Sequence, residues 1–90
     1  MTINIGSKAQ KDWKKQIKVH PLLAARFAFH MKKKREDRKL NLQGMADLCG
    51  VSNPYIYMLE TGQRTPSIDF VEKVAGIFNV DPASMLEDPK

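Results

Sequence analysis

Cys49 and the two histidines, His20 and His30, are the residues that first invite a catalytic or metal-binding reading. One cysteine forms neither an internal disulfide nor a Cys-based zinc site, and neither histidine has a second ligand at metal-binding spacing. No Ser/His/Asp set, paired carboxylates or phosphate-cradling glycine loop can be assembled, so no enzyme, metal or cofactor is expected. What the chain does offer is charge and hydrogen bonds. Lys32, Lys33, Lys34 and Arg35 form a basic tract. Further on, Ser52, Asn53, Pro54, Tyr55, Tyr57 and Met58 crowd into seven positions, with Gln43 before them and Arg64 after. Ammonium and guanidinium groups grip anions, and amides and hydroxyls bond polar edges, so these residue types suit non-covalent recognition.

The distribution of charge points the same way. The 90 residues carry 15 Lys or Arg against 10 Asp or Glu, a net +5. Residues 1–39 hold twelve of the cations and only Asp12, Glu36 and Asp37, a net +9; residues 40–90 hold Arg64, Lys73 and Lys90 against seven acids, a net −4. Such asymmetry suits a polyanionic partner, nucleic acid or an anionic membrane surface, the plain alternative being a solvated basic face. A hydrophobic content of 42% with 5 Gly and 5 Pro fits one globular domain with a modest core. The first eight residues lack a signal-like apolar stretch, and the longest apolar block, residues 22–29, is interrupted by Arg26. No membrane span is expected, and a reducing cytoplasm is the expected location.

These groups must be positioned by helices, because no segment alternates as a strand should. In residues 7–19, Ala9, Trp13 and Ile17 stand four apart among five lysines, a narrow apolar stripe on a basic arm or extra helix. His20-Pro21 breaks it. A long helix is predicted to about Arg38, with Leu23, Phe27 and Met31 on one stripe and Leu22, Ala25 and Phe29 on another, the second needing cover from the Trp13 segment or a second subunit. Asn41 caps a helix over 42–49, which buries Met45, Ala46 and Cys49 and ends at Gly50. Ser52 caps another over 53–60, with Ile56 and Leu59 inward and Gly62 closing it. A polar loop leads through Pro66 to the N-cap Ser67 and a helix over 68–78, buried through Val71, Val74, Ala75 and Phe78. Asn79 ends it, and Asp81-Pro82 starts a last short helix with Met85 and Leu86.

Two short helices joined by Gly50-Val51-Ser52 make a helix-turn-helix, whose second helix enters the major groove of DNA with its N-terminal residues against base edges. The run of residues 40–86 resembles the lambda-repressor-like, or Xre-type, helix-turn-helix regulators of bacteria and phages. The matching marks are Leu40, Ala46, Gly50-Val51-Ser52, Ile56, Leu59-Glu60, Gly62, Arg64, Pro66-Ser67, Ala75 and Asn79-Val80-Asp81, at a spacing kept without a gap. The resemblance implies an all-α, five-helix DNA-binding domain over residues 21–90, preceded by a basic segment over 1–20, acting as a dimer on a palindromic or repeated operator. It implies that Asn53, Pro54 and Met58 read bases and that Ser52, Tyr55, Tyr57 and Arg64 lie near phosphates. The chemistry agrees in part: an Asn amide can bond adenine N6 and N7 together, and Pro54 or Met58 can touch a thymine methyl. One departure is that Leu42 stands where the family commonly has a phosphate-contacting Gln, with Gln43 next to it; either Gln43 takes over that phosphate contact after a small shift, or the contact is absent.

Blander roles stand beside these. Tyr55 and Tyr57 are equally suited to covering core edges, Met58 to an ordinary surface position and Cys49 to a buried structural thiol; for Lys32, Lys33, Lys34 and Arg35, contact with DNA phosphates is favoured over a merely solvated face. Trp13, Ile17, Leu22, Phe29, Phe70 and Ile77 are candidate contacts for a dimer or partner, the last two equally suited to the core. The favoured function is a sequence-specific transcriptional regulator, of the repressor type found in phages and mobile elements, binding double-stranded DNA as a homodimer at the nucleoid. The alternative is an antitoxin-type module that covers a partner toxin and autoregulates its operon. A membrane partner is not expected, since the stripe over 9–17 is too narrow for strong insertion.

Overall fold

The structure, a computed structural model, describes residues 20–89. These form four α-helices, α1 (Pro21–Asp37), α2 (Leu42–Cys49), α3 (Asn53–Glu60) and α4 (Ile68–Phe78), followed by a 3-10 turn, Pro82–Leu86; no strand occurs among the described residues. The last element is therefore not a fifth α-helix. Its five residues give room for little more than one turn, and Asp81 fixes the tight start by accepting from the Ala83 N–H at 2.9 Å.

Local chemistry sets the boundaries. Asn41, Ser52 and Ser67 have extended backbones, and their side chains accept from the N–H groups of Gly44, Tyr55 and Phe70. Each satisfies one of the donors that a helix start leaves unpaired. All four helices stop in the same way, on a residue with positive φ: Lys39 (58°), Gly50 (71°), Gly62 (76°) and Asn79 (58°). The N–H that follows each of them returns to a carbonyl five residues earlier: Leu40 to Arg35, Val51 to Ala46, Gln63 to Met58 and Val80 to Ala75. This is the Schellman pattern, which glycine enters without strain and asparagine tolerates. Lysine has no such preference, and Lys39 carried no sequence signal as a terminator.

The core is apolar: Phe27, Met31, Met45, Ile56, Leu59, Val74 and Met85 are fully buried, and among the described residues no polar one is. On α1 the buried face is Ala24, Phe27, Ala28 and Met31. The expected Leu23–Phe27–Met31 stripe is thus half right, because a row of i,i+4 residues slews around the helix and carries Leu23 into solvent. Two alanines take its place and allow close approach. Phe70, a candidate partner contact, belongs instead to the core: its ring meets Phe27 edge-on at 6.3 Å and Tyr55 at 5.5 Å. The core wraps far enough around α4 to take in position 70 as well as 71, 74 and 78. Ile77 is half-buried and packed against the same cluster.

Candidate nucleic-acid interface

Turn Gly50-Val51-Ser52 sets α2 against α3, with Met45, Ala46 and Cys49 facing Ile56 and Leu59 in one cluster. With positions 56 and 59 inward, helical geometry turns 53, 54, 57 and 58 away from the core. Pro54 and Tyr57 are exposed, Tyr57 by 52%, while Asn53 and Met58 are half-buried. Pro54 lies in the first turn of α3, where a missing N–H breaks no intrahelical bond.

Gln43, one residue into α2, joins this surface. Asn53 Nδ2 donates to Gln43 Oε1 at 3.2 Å, and Gln43 Nε2 donates to Asp47 Oδ1 at 2.9 Å. The relay aligns two amides across the mouth of the helix-turn-helix. Tyr55 and Tyr57 part company: the Tyr55 ring packs on Phe70 at the core edge, and Tyr57 projects outward. The Arg64 guanidinium lies over the Tyr55 ring, 5.6 Å from its centroid, so a core-covering tyrosine also seats an exposed cation. The Ser52 hydroxyl oxygen caps α3.

The basic tract does not act as a unit, because four consecutive residues on a helix point in four directions. Lys32 and Lys33 lie beside Phe29 and Glu36 on the outer side of α1, and Lys33 approaches Asp37 at 3.8 Å, an exposed pair of little energetic weight. Lys34 is half-buried beside Arg38 and Phe78. Arg35, expected at phosphates, is turned inward and used by the fold. Its Nε and Nη2 donate to Glu60 Oε2 and Oε1 at 2.7 and 2.9 Å, and its Nη1 donates to the Leu40 carbonyl at 2.7 Å. These side chains are only 12% and 6% exposed. The hydrogen bonding of the guanidinium to Glu60 outweighs desolvation and holds it above the ordinary arginine range.

Of the candidate contacts for a partner, Leu22 (61% exposed) and Phe29 (48%) do lie on the surface. Trp13, Ile17 and the rest of the basic segment lie outside the described residues. Away from the Asn53–Gln43 surface, two further interactions had not been read from the sequence. One is the Arg35–Glu60 pair, for which the available signal was Glu60 itself, a charge beside Leu59 and one turn from Ile56. The other is Lys73 Nζ donating to the Cys49 carbonyl at 3.0 Å, a cation on the carbonyl end of α2. Burial pushes the Cys49 thiol up from its usual range, partly offset by the Lys73 charge. Among the described residues no cluster of three His, Cys, Asp or Glu could hold a metal, and no helix is long and apolar enough to cross a membrane.

Known proteins share this architecture. The chain is 34% identical over 50 residues to an uncharacterized HTH-type transcriptional regulator of Mycobacterium tuberculosis, present in two strains; the match takes in 56% of this chain and 36% of the relative. The chain thus spans about a third of the length of these relatives. Among solved structures, a hypothetical transcription factor from Neisseria superposes with a TM-score of 0.69 at 24% identity, covering 74% of this chain and 77% of that one. An HTH_3 family transcriptional regulator from Vibrio cholerae gives 0.64 at 26% identity, covering 71% and 36%. The restriction-modification controller protein of Aeromonas hydrophila gives 0.63 at 24%, covering 69% and 94%. The Helix-turn-helix family pattern, HTH_3, matches residues 31–84, from the last turns of α1 through α2, α3 and α4 into the 3-10 turn. On that match, and on the turn and caps that carry it, the chain belongs to the helix-turn-helix family, in its lambda-repressor-like class of transcriptional regulators.

Proposed function

We propose that this chain is a sequence-specific repressor of the phage or mobile-element type, binding double-stranded operator DNA as a homodimer in the cytoplasm, at the nucleoid. The observation that carries the reading is the Asn53–Gln43 amide pair at the open end of the helix-turn-helix, flanked by exposed Pro54 and Tyr57. An amide aligned by a neighbour is suited to the paired donor and acceptor of adenine in the major groove. In this reading residues 21–90 form the DNA-binding domain, with α3 as recognition helix. Asn53, Pro54 and Met58 meet bases; Gln43, Ser52, Tyr57 and the Tyr55-seated Arg64 lie along the phosphates. Residues 1–20 are a basic arm that adds affinity for the backbone, as do Lys32, Lys33 and Lys34. Selection of bound DNA from a random pool tests the whole: it is expected to return a two-fold motif whose half-site spacing gives the dimer geometry. A pool with no enriched motif sinks the reading. The arm is tested by the salt dependence of operator binding with and without residues 1–18, since each neutralised phosphate contributes a log–log slope of about −0.9. An unchanged slope removes the arm from the complex.

The outward face of α1, with Leu22 and Phe29 exposed, favours a second reading in which a protein partner covers it. An antitoxin with an autoregulated operon is the form that reading takes. A small adjacent reading frame, toxic when expressed alone and neutralised by this chain, is its expected companion.

A further inference from the structure

An apolar groove between α4 and the 3-10 turn takes no part in the helix-turn-helix. It is lined by Ile68, Val71, Pro82, Ala83 and Leu86, with Glu72 at its edge, and encloses about 260 Å³. Ile68 is 80% exposed, a large aliphatic side chain standing at the start of α4. The charges on these elements and the tail after them are acidic: Asp69, Glu72, Asp81, Glu87 and Asp88. The single cation of that stretch before Lys90, Lys73, is held at the Cys49 carbonyl. The groove therefore suits an apolar segment flanked by positive charge.

The described residues start close to it, at His20. The backbone N–H of His20 donates to Thr65 Oγ1 at 2.8 Å. Thr65 is three residues from Ile68, at most about 10 Å of chain. His20 itself is the N-cap of α1, extended (φ −88°, ψ 100°) ahead of Pro21. The preceding sequence places Ala9, Trp13 and Ile17 four apart among Lys8, Lys11, Lys14, Lys15 and Lys18.

We infer that the groove is the docking site for this chain's own residues 9–17, with Trp13 and Ile17 against Ile68, Val71 and Leu86 and the lysines over the acidic rim. The reach is sufficient, since three extended residues span about 10 Å and seven about 23 Å. The competing surface, the outer side of α1 around Leu22 and Phe29, mixes Arg26, Lys32 and Lys33 with Glu36 and Asp37, a poorer complement to five lysines than the acidic rim of the groove. On the operator reading, which the docking itself does not require, the groove and the DNA backbone compete for the same lysines.

Trp13 is the only tryptophan in the chain and reports its own surroundings. In the full-length chain without DNA, its emission is expected to lie to the blue of the denatured chain and to resist acrylamide quenching, at every dilution. Ile68→Asp, at an exposed position where helical circular dichroism should be kept, is expected to move emission to the denatured value and raise quenching severalfold. Glu72→Lys and high salt are expected to move it part of the way. The inference is overturned if Trp13 is already solvent-like in the parent, or if Ile68→Asp leaves it unchanged. It also fails if Leu22→Asp releases Trp13 instead, which assigns the segment to α1, or if protection is lost on dilution, which gives the groove to a second copy. No DNA enters the measurement, so failure here leaves the operator reading standing.

Discussion

At its C-terminal end α3 is tied to α1 by a two-point ion pair, Arg35 to Glu60 at 2.7 and 2.9 Å, with the third arm of the guanidinium on the Leu40 carbonyl. At its N-terminal end the same eight-residue helix has a serine cap and one 3.2 Å bond between two amides, Asn53 and Gln43. The first end spends its polar groups on the fold, in a setting almost closed to water. The second keeps its polar groups at the surface, joined by bonds that water or a base edge can replace at little cost. A short helix is marginal by itself, so it must be fixed from somewhere. Fixing it at the far end leaves the near end free to differ in sequence without unfolding the domain. On the proposed reading, stability and recognition are thereby separated along about 12 Å of helix.

The sharpest way to break this contrast is Glu60→Ala. It leaves a nearly buried guanidinium without its partner, and removing one member of such a pair costs about 3–5 kcal/mol. Against a total of about 5–15 kcal/mol, a large fraction of stability is expected to go, seen as a lower urea midpoint. The double replacement Arg35→Met with Glu60→Leu is expected to recover most of it, because apolar groups of similar volume carry no desolvation cost. A loss below about 1 kcal/mol in the single variant would mean that the pair is no anchor. Alkaline titration adds a check. With the folded pKa of Arg35 raised above its unfolded value, its contribution is complete below the unfolded value and lost only above it, so the pair should hold undiminished up to about pH 10.

Much of this arrangement was legible, for a physical reason. Helix limits at 42–49, 53–60 and 68–78 follow from side chains that act on their own neighbours: Asn41, Ser52 and Ser67 at the starts, Gly50, Gly62 and Asn79 at the stops. Lys39 was illegible because its left-handed conformation is imposed from outside. Leu40 packs against the core while its N–H and carbonyl are both held by Arg35. Arg35 was hidden by company: within a run of four cations nothing local distinguishes the one facing inward, and its partner is 25 residues away. Phe70 was left open between core and partner contact for a related reason, since how far a core wraps around α4 depends on the rings of Phe27 and Tyr55. In the candidate interface the turn and the outward residues of α3 could be read in advance. The hydrogen bond joining Gln43 to Asn53 could not, because it spans two helices whose crossing sets the distance.

Asn53→Ala probes the opposite end and is expected to give the opposite result. Preference at one base position per half-site should relax by about 1–3 kcal/mol, while the unfolding free energy from urea titration stays within about 0.5 kcal/mol of the parent. Selected motifs from variant and parent that coincide would remove Asn53 from the readers. Ser52→Ala falls between the two extremes, since the cap belongs to the fold but stands at the reading end. Its loss frees the Tyr55 N–H and is expected to cost about 1 kcal/mol of stability. If the ends of α3 are as separate as proposed, motif selection with Ser52→Ala returns the parental bases at lower overall affinity.

Arg64 tests the contrast at its smallest scale. Its guanidinium rests on the Tyr55 ring at 5.6 Å, and Tyr55 in turn rests on Phe70, so a surface cation is connected to the core through two aromatic rings. An exposed cation–π contact is worth about 0.5–1 kcal/mol, so Arg64→Ala should lower stability by no more than that. Operator affinity is expected to fall by a similar factor for every sequence, and the log–log salt slope to shrink by about one. Arg64→Lys separates the two roles: it restores the slope, because a point charge suffices to displace a counterion, but loses the planar seat on Tyr55. A change in base preference with either variant would show that Arg64 reaches into the groove, and the division between a holding face and a reading face would have to be redrawn.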